Sequence, residues 1–197
     1  MRTDSRGTAV AASCDRGPVA GSVILVEGSS DRRAVEEVAR LRGTDLALAQ
    51  VEVVAMSGIT NLARHLRRVP AGTRVTGLFD RPEAAYVHAT LARLGRTEPF
   101  FACDRDLEDE LIRALGPARV VAVIDAAGDR GSWQTLLHQP FHRDRPDTEV
   151  LRRFMGTTSG RKLRYAGLLA AALAPDEVPA PLVAVLDEAT RRSTRPG

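Results

Sequence analysis

Cysteine, aromatic residues and lysine are all scarce in this sequence, and each scarcity narrows what the protein can be. The 197 residues include two cysteines, too few and too far apart for a disulfide framework or a zinc site. We therefore expect a reducing, cytoplasmic environment. Aromatic residues make up 4% of the chain and hydrophobic residues 44%, which predicts a core of aliphatic side chains. No hydrophobic run is long enough to span a bilayer, so no membrane partner is expected.

Lys162 is the only lysine among the 28 basic side chains of the chain. A coding bias toward arginine explains this skew most simply. Against that background, a retained lysine suggests a position that needs a compact ammonium rather than a planar guanidinium, although chance alone would also leave one lysine. The charges are unevenly placed as well: residues 130–197 carry 11 basic and 7 acidic side chains. Such a basic arm is typical of binding to a phosphate backbone, and a solvated helix face accounts for it nearly as well.

The hydrophobic pattern divides the chain into four parts. We predict a disordered leader over 1–20, an α/β domain over 21–116, a helical C-terminal region over 117–192 packed on that domain, and a frayed tail over 193–197. Within the α/β domain, four short apolar runs alternate with amphipathic stretches. Strands are predicted at 22–26, 51–56, 74–79 and 98–103, and helices at 31–41, 61–69, 83–94 and 107–115.

This alternation is typical of a four-stranded, Rossmann-like parallel sheet with right-handed crossovers. The helical region is predicted to hold helices at 118–127, 132–138, 147–155, 160–173 and 179–191. Three of the four predicted strands end in acidic residues: Glu27 follows the first, Asp80 ends the third, and a group that includes Glu108 follows the fourth. Because the carboxyl ends of parallel strands share one edge, these carboxylates can converge on a hard divalent cation. Asp31 is also a suitable N-cap for the first helix.

Four segments, in order, resemble the TOPRIM domain of topoisomerases, DnaG-type primases and several nucleases. The segments are EGSSD at 27–31, GLFD at 77–80, DLEDELIRALG at 106–116 and RRFMGTTSGRKLRYAGLL at 152–169. They are most similar to the overcoming-lysogenisation-defect (OLD) nucleases and to the short stand-alone TOPRIM nucleotidyl transferase/hydrolase proteins related to them.

The resemblance implies a role for each matching residue. Glu27 is expected to be catalytic, as a metal ligand or general acid/base, and Lys162 to stabilise charge at the scissile phosphate. Asp31, Asp80 and Glu108 are implied as ligands of one or two Mg²⁺ or Mn²⁺ ions. The basic side chains expected to contact nucleic acid are Arg152, Arg153, Arg161 and Arg164.

Two features depart from the family pattern. The second aspartate of the Asp-x-Asp pair is missing after Asp80, and Glu83 is the candidate metal ligand in its place, with a helix-start acid as the alternative. The OLD nucleases also carry an ABC-type ATPase, for which no P-loop motif is present here. GTTSGRK at 156–162 is one residue too short for that motif and ends in Leu163 instead of Ser or Thr. We therefore expect any ATPase partner to be encoded separately.

The function expected from these observations is metal-dependent hydrolysis of nucleic-acid phosphodiester bonds, with DNA preferred to RNA as substrate. Primase-like nucleotidyl transfer is the enzymatic alternative, because the same acids serve both reactions. A non-catalytic module that binds metal or nucleic acid is the second alternative, since the acid set is incomplete.

Overall fold

The computed structural model describes residues 21–139, 145–156, 158 and 160–191. The leader predicted for 1–20 and the tail predicted for 193–197 lie outside the described residues.

A four-stranded parallel sheet forms the centre of the molecule. Its strands are β1 (Ser22–Val26), β2 (Val51–Ala55), β3 (Arg74–Asp80) and β4 (Phe100–Cys103), in the order β2-β1-β3-β4. Strand β1 is buried along its whole length, as its unbroken apolar sequence predicts for an interior parallel strand. Leu25 of β1 lies beside Gly77 of β3, and a Cβ at Gly77 would come within 2.5 Å of the Leu25 carbonyl oxygen. The two central strands therefore require glycine at this position.

Nine helices surround the sheet in the described part of the chain. They are α1 (Ser29–Leu41), α2 (Leu62–Arg68), α3 (Ala84–Arg93), α4 (Leu107–Leu115), α5 (Pro117–Ala126), α6 (Arg130–Leu137), α7 (Asp147–Gly156), α8 (Arg161–Ala171) and α9 (Ala180–Thr190). Short 3-10 turns occupy Ile59–Asn61, Arg81–Glu83 and Pro175–Glu177.

The alternating side chains of β1 divide the core between the two faces of the sheet. Val23 and Leu25 pack with buried residues of α2 and α3. Ile24 and Val26 point to the other face, where one continuous hydrophobic cluster includes α1 and α4 to α9. Helix α8 packs along α1, and α9 lies against β1, β3 and β4. The C-terminal helices therefore share a core with the sheet, and the division at residue 116 stays a prediction.

The predicted α/β fold is confirmed, with small differences at the ends of elements. Strand β4 begins at Phe100 rather than at residue 98, because Pro99 has no N–H to donate to the ladder. Helix α3 begins at Ala84, one residue late, after the 3-10 turn that contains Pro82. None of the described helices combines the length and the hydrophobicity needed to cross a membrane.

Candidate metal and phosphate site

The site lies at the carboxyl edge of the two central strands. Glu27 directly follows β1 and Asp80 is the last residue of β3. These strands are neighbours, and the chain leaves them in opposite directions, to β2 on one side and β4 on the other. Open α/β sheets bind their ligands at such a switch point.

Asp31 enters the site from the first turn of α1. The N-cap of this helix is Gly28, so the prediction of Asp31 as the N-cap residue was wrong. Asp31 instead lies in the first turn, and its Oδ2 accepts a hydrogen bond of 2.8 Å from the Gly28 N–H. This bond holds the carboxylate over the turn that joins β1 to α1. Burial raises the pKa of Asp31, and the neighbouring charges of Glu27 and Asp106 raise it further, while the Gly28 bond and Lys162 act in the opposite direction.

The first turn of α4 brings Asp106 and Glu108 to the same place. Asp106 is the N-cap of α4, and its Oδ1 accepts a hydrogen bond of 2.8 Å from the Asp109 N–H. Its other oxygen, Oδ2, accepts a hydrogen bond from Arg152 of α7. Sequence reasoning placed Asp106 in the group of acids after the fourth strand, with a turn former as the alternative, and did not name it as a metal ligand. Its position as a capping acid was recognisable, but its pairing with a residue 46 positions away was not.

Lys162 lies in the first turn of α8, opposite Glu108. Its Nζ is 3.2 Å from Glu108 Oε2. Burial lowers the pKa of Lys162, but the charges of Glu108, Asp31 and Asp106 outweigh it and raise the pKa above its ordinary value. The ammonium therefore stays charged at neutral pH. In Glu108, burial raises the pKa and the Lys162 charge opposes that rise.

These side chains line one cleft of about 290 Å³, which we call the acidic cleft. Its ionisable residues are Glu27, Asp31, Asp80, Asp106, Glu108 and Lys162. Five carboxyl groups and one ammonium thus come together from segments far apart in sequence. Four of the predicted metal ligands and the predicted catalytic lysine are among them.

Asp80 is the acid most affected by its surroundings. Burial raises its pKa from 3.8 to about 7, and the charges of Asp31, Asp106, Glu27 and Glu83 contribute to the rise. Glu83 does not line the acidic cleft but lies beside Glu27. Burial raises the pKa of Glu83, as do the charge of Glu27 and a hydrogen bond with it.

The cleft suits a hard divalent cation. Such cations prefer oxygen ligands, and the acidic side chains of the cleft offer carboxylate oxygens. Oε1 of Glu108 and Oε2 of Glu83 are buried, and neither has a hydrogen-bond partner among the described residues. Within that part of the chain, no three acidic, histidine or cysteine side chains are close enough together to hold a metal ion as they stand. These residues therefore fit an ion held by one or two carboxylates and water, as Mg²⁺ usually is.

The arginines predicted to bind nucleic acid have different surroundings. Arg152 is paired with Asp106. The Arg161 guanidinium stacks 4.2 Å from the centre of the Phe154 ring, and its Nη1 donates to the Phe154 carbonyl oxygen. Arg164 is 3.0 Å from Asp129 Oδ2, and Arg153 lines a second cavity that adjoins the acidic cleft.

Arg161 and Arg164 thus fix the first turn of α8 from two sides, with Lys162 between them. Tyr165 contributes to the same anchor, since its hydroxyl donates to Asp129 Oδ2 at 2.9 Å while its ring is fully buried. A buried, hydrogen-bonded phenol is not placed to act as a nucleophile.

A larger cavity, of about 770 Å³, lies at the opposite edge of the sheet. Its lining includes Gly21 and Arg74, at the amino ends of β1 and β3. Asp45 is the one acid among the described residues that line it, and parallel sheets bind ligands at the carboxyl edge. The larger cavity therefore lacks the acidic side chains of the cleft, and we place the candidate site at the acidic cleft because of those side chains.

Comparisons with known proteins find similarity to TOPRIM domains. Residues 19–71 match the family model described as "Overcoming lysogenization defect protein-like, TOPRIM domain". Among curated proteins, no significant match to this chain is found.

Two solved structures share the fold over 87% of this chain. The C-terminal region of the Burkholderia pseudomallei OLD protein is 22% identical, with a TM-score of 0.67 over 97% of its own chain. The corresponding region of the Xanthomonas campestris pv. campestris OLD protein is 21% identical, with a TM-score of 0.68 over 92% of its chain. The resemblance to OLD-type TOPRIM proteins is therefore confirmed, and the site residues after position 71 lie outside the matched family segment.

Proposed function

We propose that this protein is a divalent-metal-dependent nuclease that hydrolyses phosphodiester bonds, with DNA as its substrate. The observation that carries the proposal is the convergence of five carboxyl groups and Lys162 in the acidic cleft. A negatively charged backbone would be repelled by such a cleft unless a cation occupied it, and the same cation would bind a substrate phosphate.

Five of the six ionisable residues of the cleft have a part in this proposal. Mg²⁺ or Mn²⁺, when bound, would polarise the phosphodiester and lower the pKa of a bound water. Asp80 and Asp31 would hold the ion, with Glu27 as a further ligand or as the base that takes a proton from the attacking water. Lys162 would place its ammonium against the non-bridging oxygens, where negative charge increases in the transition state. Glu108, paired with Lys162, would keep that ammonium oriented.

The second candidate function is a non-catalytic binding module. It is favoured by the position that follows Asp80, where the chain has Arg81 and Pro82, and Arg81 pairs with Asp104 at 2.9 Å instead of adding an acid to the cleft. Primase-like nucleotidyl transfer and a separate ATPase partner remain predictions.

The test is cleavage of supercoiled plasmid and of labelled oligonucleotides with Mg²⁺, with Mn²⁺ and with EDTA. We expect cleavage only with metal, and its loss in Glu27→Gln and Asp80→Asn. The matched control is Glu52→Gln, which removes an exposed acid of β2 away from the cleft. Wild-type protein that binds DNA but leaves it intact under every metal condition would favour the binding module.

A further inference from the structure

A second cavity, of about 410 Å³, continues from the acidic cleft and has the opposite charge. We call it the basic groove. Asp106, Glu108 and Lys162 line both cavities, so the two share one wall. The basic side chains that line the groove are Arg105, Arg145, Arg152, Arg153 and Lys162, and its acids are Asp106, Glu108 and Glu149.

The groove is built from the face of α7 that points away from the core. Val150, Leu151, Phe154 and Met155 of this helix are buried, while the residues lining the groove recur at the three- and four-residue spacing of one helical face. Those residues are Glu149, Arg152, Arg153 and Gly156. The opposite wall is the start of α4, where Arg105 and Glu108 lie.

Each of the three acids of the groove is already matched by one of its cations. Arg152 pairs with Asp106, Lys162 with Glu108, and Arg145 with Glu149 at 3.5 Å. Among the described residues that line the groove, five cations against three acids leave a positive excess. Arg105 is exposed and makes no hydrogen bond or ion pair with any residue that the structure describes. Within the described part of the chain its charge is therefore unmatched, and it is available to a ligand.

We propose that the basic groove binds the phosphates that neighbour the scissile one on a single side of the substrate strand, with Arg105 as a direct phosphate contact. This inference rests on the proposed nuclease function and deepens it. A strand whose scissile phosphate lies at Lys162 must leave the acidic cleft, and the groove is the adjoining exit that carries positive charge. Arg161 and Arg164 bond to groups outside the groove, and Arg105 takes this role.

The proposal separates two kinds of substrate. An oligonucleotide has flanking phosphates and should depend on the groove, whereas bis(p-nitrophenyl) phosphate has a phosphodiester without flanking phosphates and should not. Arg105→Ala should therefore raise KM for an oligonucleotide about tenfold, as expected when one hydrogen bond between charged groups is lost. Its kcat, and its kcat/KM for bis(p-nitrophenyl) phosphate, should match the wild type.

Binding of a fluorescein-labelled single-stranded oligonucleotide, with Ca²⁺ replacing Mg²⁺, tests the groove without requiring cleavage. In Arg105→Ala, the slope of log Kd against log salt concentration should fall by about 0.7, the value for one phosphate contact on a single strand. Gly156→Glu should weaken binding more, since a side chain there meets open space and would place a carboxylate in the groove.

Two matched controls lie away from the groove. Arg68→Ala removes an exposed arginine of α2, on the other face of the sheet. Gly131→Glu adds the same side chain to a helical glycine of α6 that also has open space around it. Both should bind like the wild type, and thermal melts should show all four variants folded.

The outcomes are distinct for the two proposals. The groove proposal would be overturned if both Arg105→Ala and Gly156→Glu bound the oligonucleotide with the affinity and salt slope of the wild type. It would also be overturned if Arg105→Ala lost the same share of activity on both substrates. Wild-type protein that binds the oligonucleotide through Arg105 but cleaves neither substrate would overturn the nuclease function and leave the groove as a binding site.

Discussion

Lys162 and Glu108 join the first turns of two helices: Nζ of the lysine in α8 is 3.2 Å from Oε2 of the glutamate in α4. The pair also lies at the boundary between the acidic cleft and the basic groove, lining both. An ammonium held there by a carboxylate is fixed in position while keeping donors available for a phosphate, since an ammonium has three.

We expect Lys162→Arg to reduce cleavage by a factor on the order of a hundred while nearly preserving binding, the pattern of a lost transition-state contact. The guanidinium keeps the charge but replaces a compact donor with a planar fork. Lys162→Ala should be slower still. Single-turnover cleavage and oligonucleotide binding, measured side by side with Arg68→Ala as the control, would check this. Cleavage by Lys162→Arg at the wild-type rate would refute the assigned role.

Tyr165→Phe should lower the free energy of unfolding by about 1–2 kcal/mol, because a buried hydroxyl that donates to the Asp129 carboxylate is removed. The salt slope of nucleic-acid binding should not change. Tyr86→Phe is the matched control: its exposed hydroxyl donates to the Thr60 carbonyl at 2.9 Å, and its loss should cost less than about 0.5 kcal/mol. Urea unfolding would distinguish them, and equal losses in the two variants would contradict the buried anchor.

Gly77→Ala should destabilise the sheet by about 1–3 kcal/mol. The added Cβ would lie 2.4 Å from a ring carbon of Phe100 and 2.5 Å from the Leu25 carbonyl oxygen, and that backbone oxygen belongs to the central strand β1. Gly131→Ala, in an exposed helical position with open space, should instead stabilise by about 0.5–1 kcal/mol. Thermal or urea unfolding should show a lower free energy of unfolding for Gly77→Ala and a higher one for Gly131→Ala. Equal effects would contradict the close packing of β1 against β3.

Much of the fold could be predicted from the sequence because its signals are local. Buried strands such as β1 are unbroken apolar runs, and helices such as α4 show both apolar periodicity and a capping acid. The placing of Glu27, Asp80 and Glu108 at one edge followed from the parallel topology, which fixes where strand ends lie even when the residues are distant in sequence.

The partners of the arginines could not be predicted in the same way. Nothing in the sequence around Arg152 indicates that its partner is Asp106. Arg161 bonds to Phe154 of the neighbouring helix α7, and Arg164 bonds to Asp129. In a sequence, a structural arginine and a phosphate-binding arginine look alike, since both are exposed positions on amphipathic helices. Only the tertiary structure shows the difference: Arg152, Arg161 and Arg164 have partners within the protein, whereas Arg105 has none among the described residues.

The melting temperature should rise in millimolar Mg²⁺ or Mn²⁺, because an ion that binds only the folded state stabilises it by about 2.7 kcal/mol at a hundredfold excess over Kd. Asp80→Asn should abolish the rise and Glu52→Gln should retain it. Differential scanning fluorimetry with and without EDTA would measure the shift. No shift in the wild type would favour the binding-module function over metal-dependent cleavage.

Without metal, Asp80→Asn should stabilise the protein at pH 8 and have little effect near pH 4. The pKa of Asp80 is raised to about 7 in the folded state by burial and by the neighbouring acids, against about 3.9 for an unfolded chain. The folded state therefore holds the proton more tightly. The stability from this group is complete below about pH 4 and is lost as the pH rises through about 7, where the ionised carboxylate is repelled by its neighbours.

At high pH the amide removes both the cost of burying the charge and its repulsion by the neighbouring acids, and at low pH it resembles the protonated acid. One pKa unit corresponds to about 1.4 kcal/mol; because Asp80 is only half-buried and solvent screens the charges, we expect a gain of about 1–2 kcal/mol at pH 8. Urea unfolding in EDTA at both pH values checks the sign. A loss of stability at pH 8, or an equal effect at pH 4, would mean that the acids of the cleft do not repel one another as their positions imply.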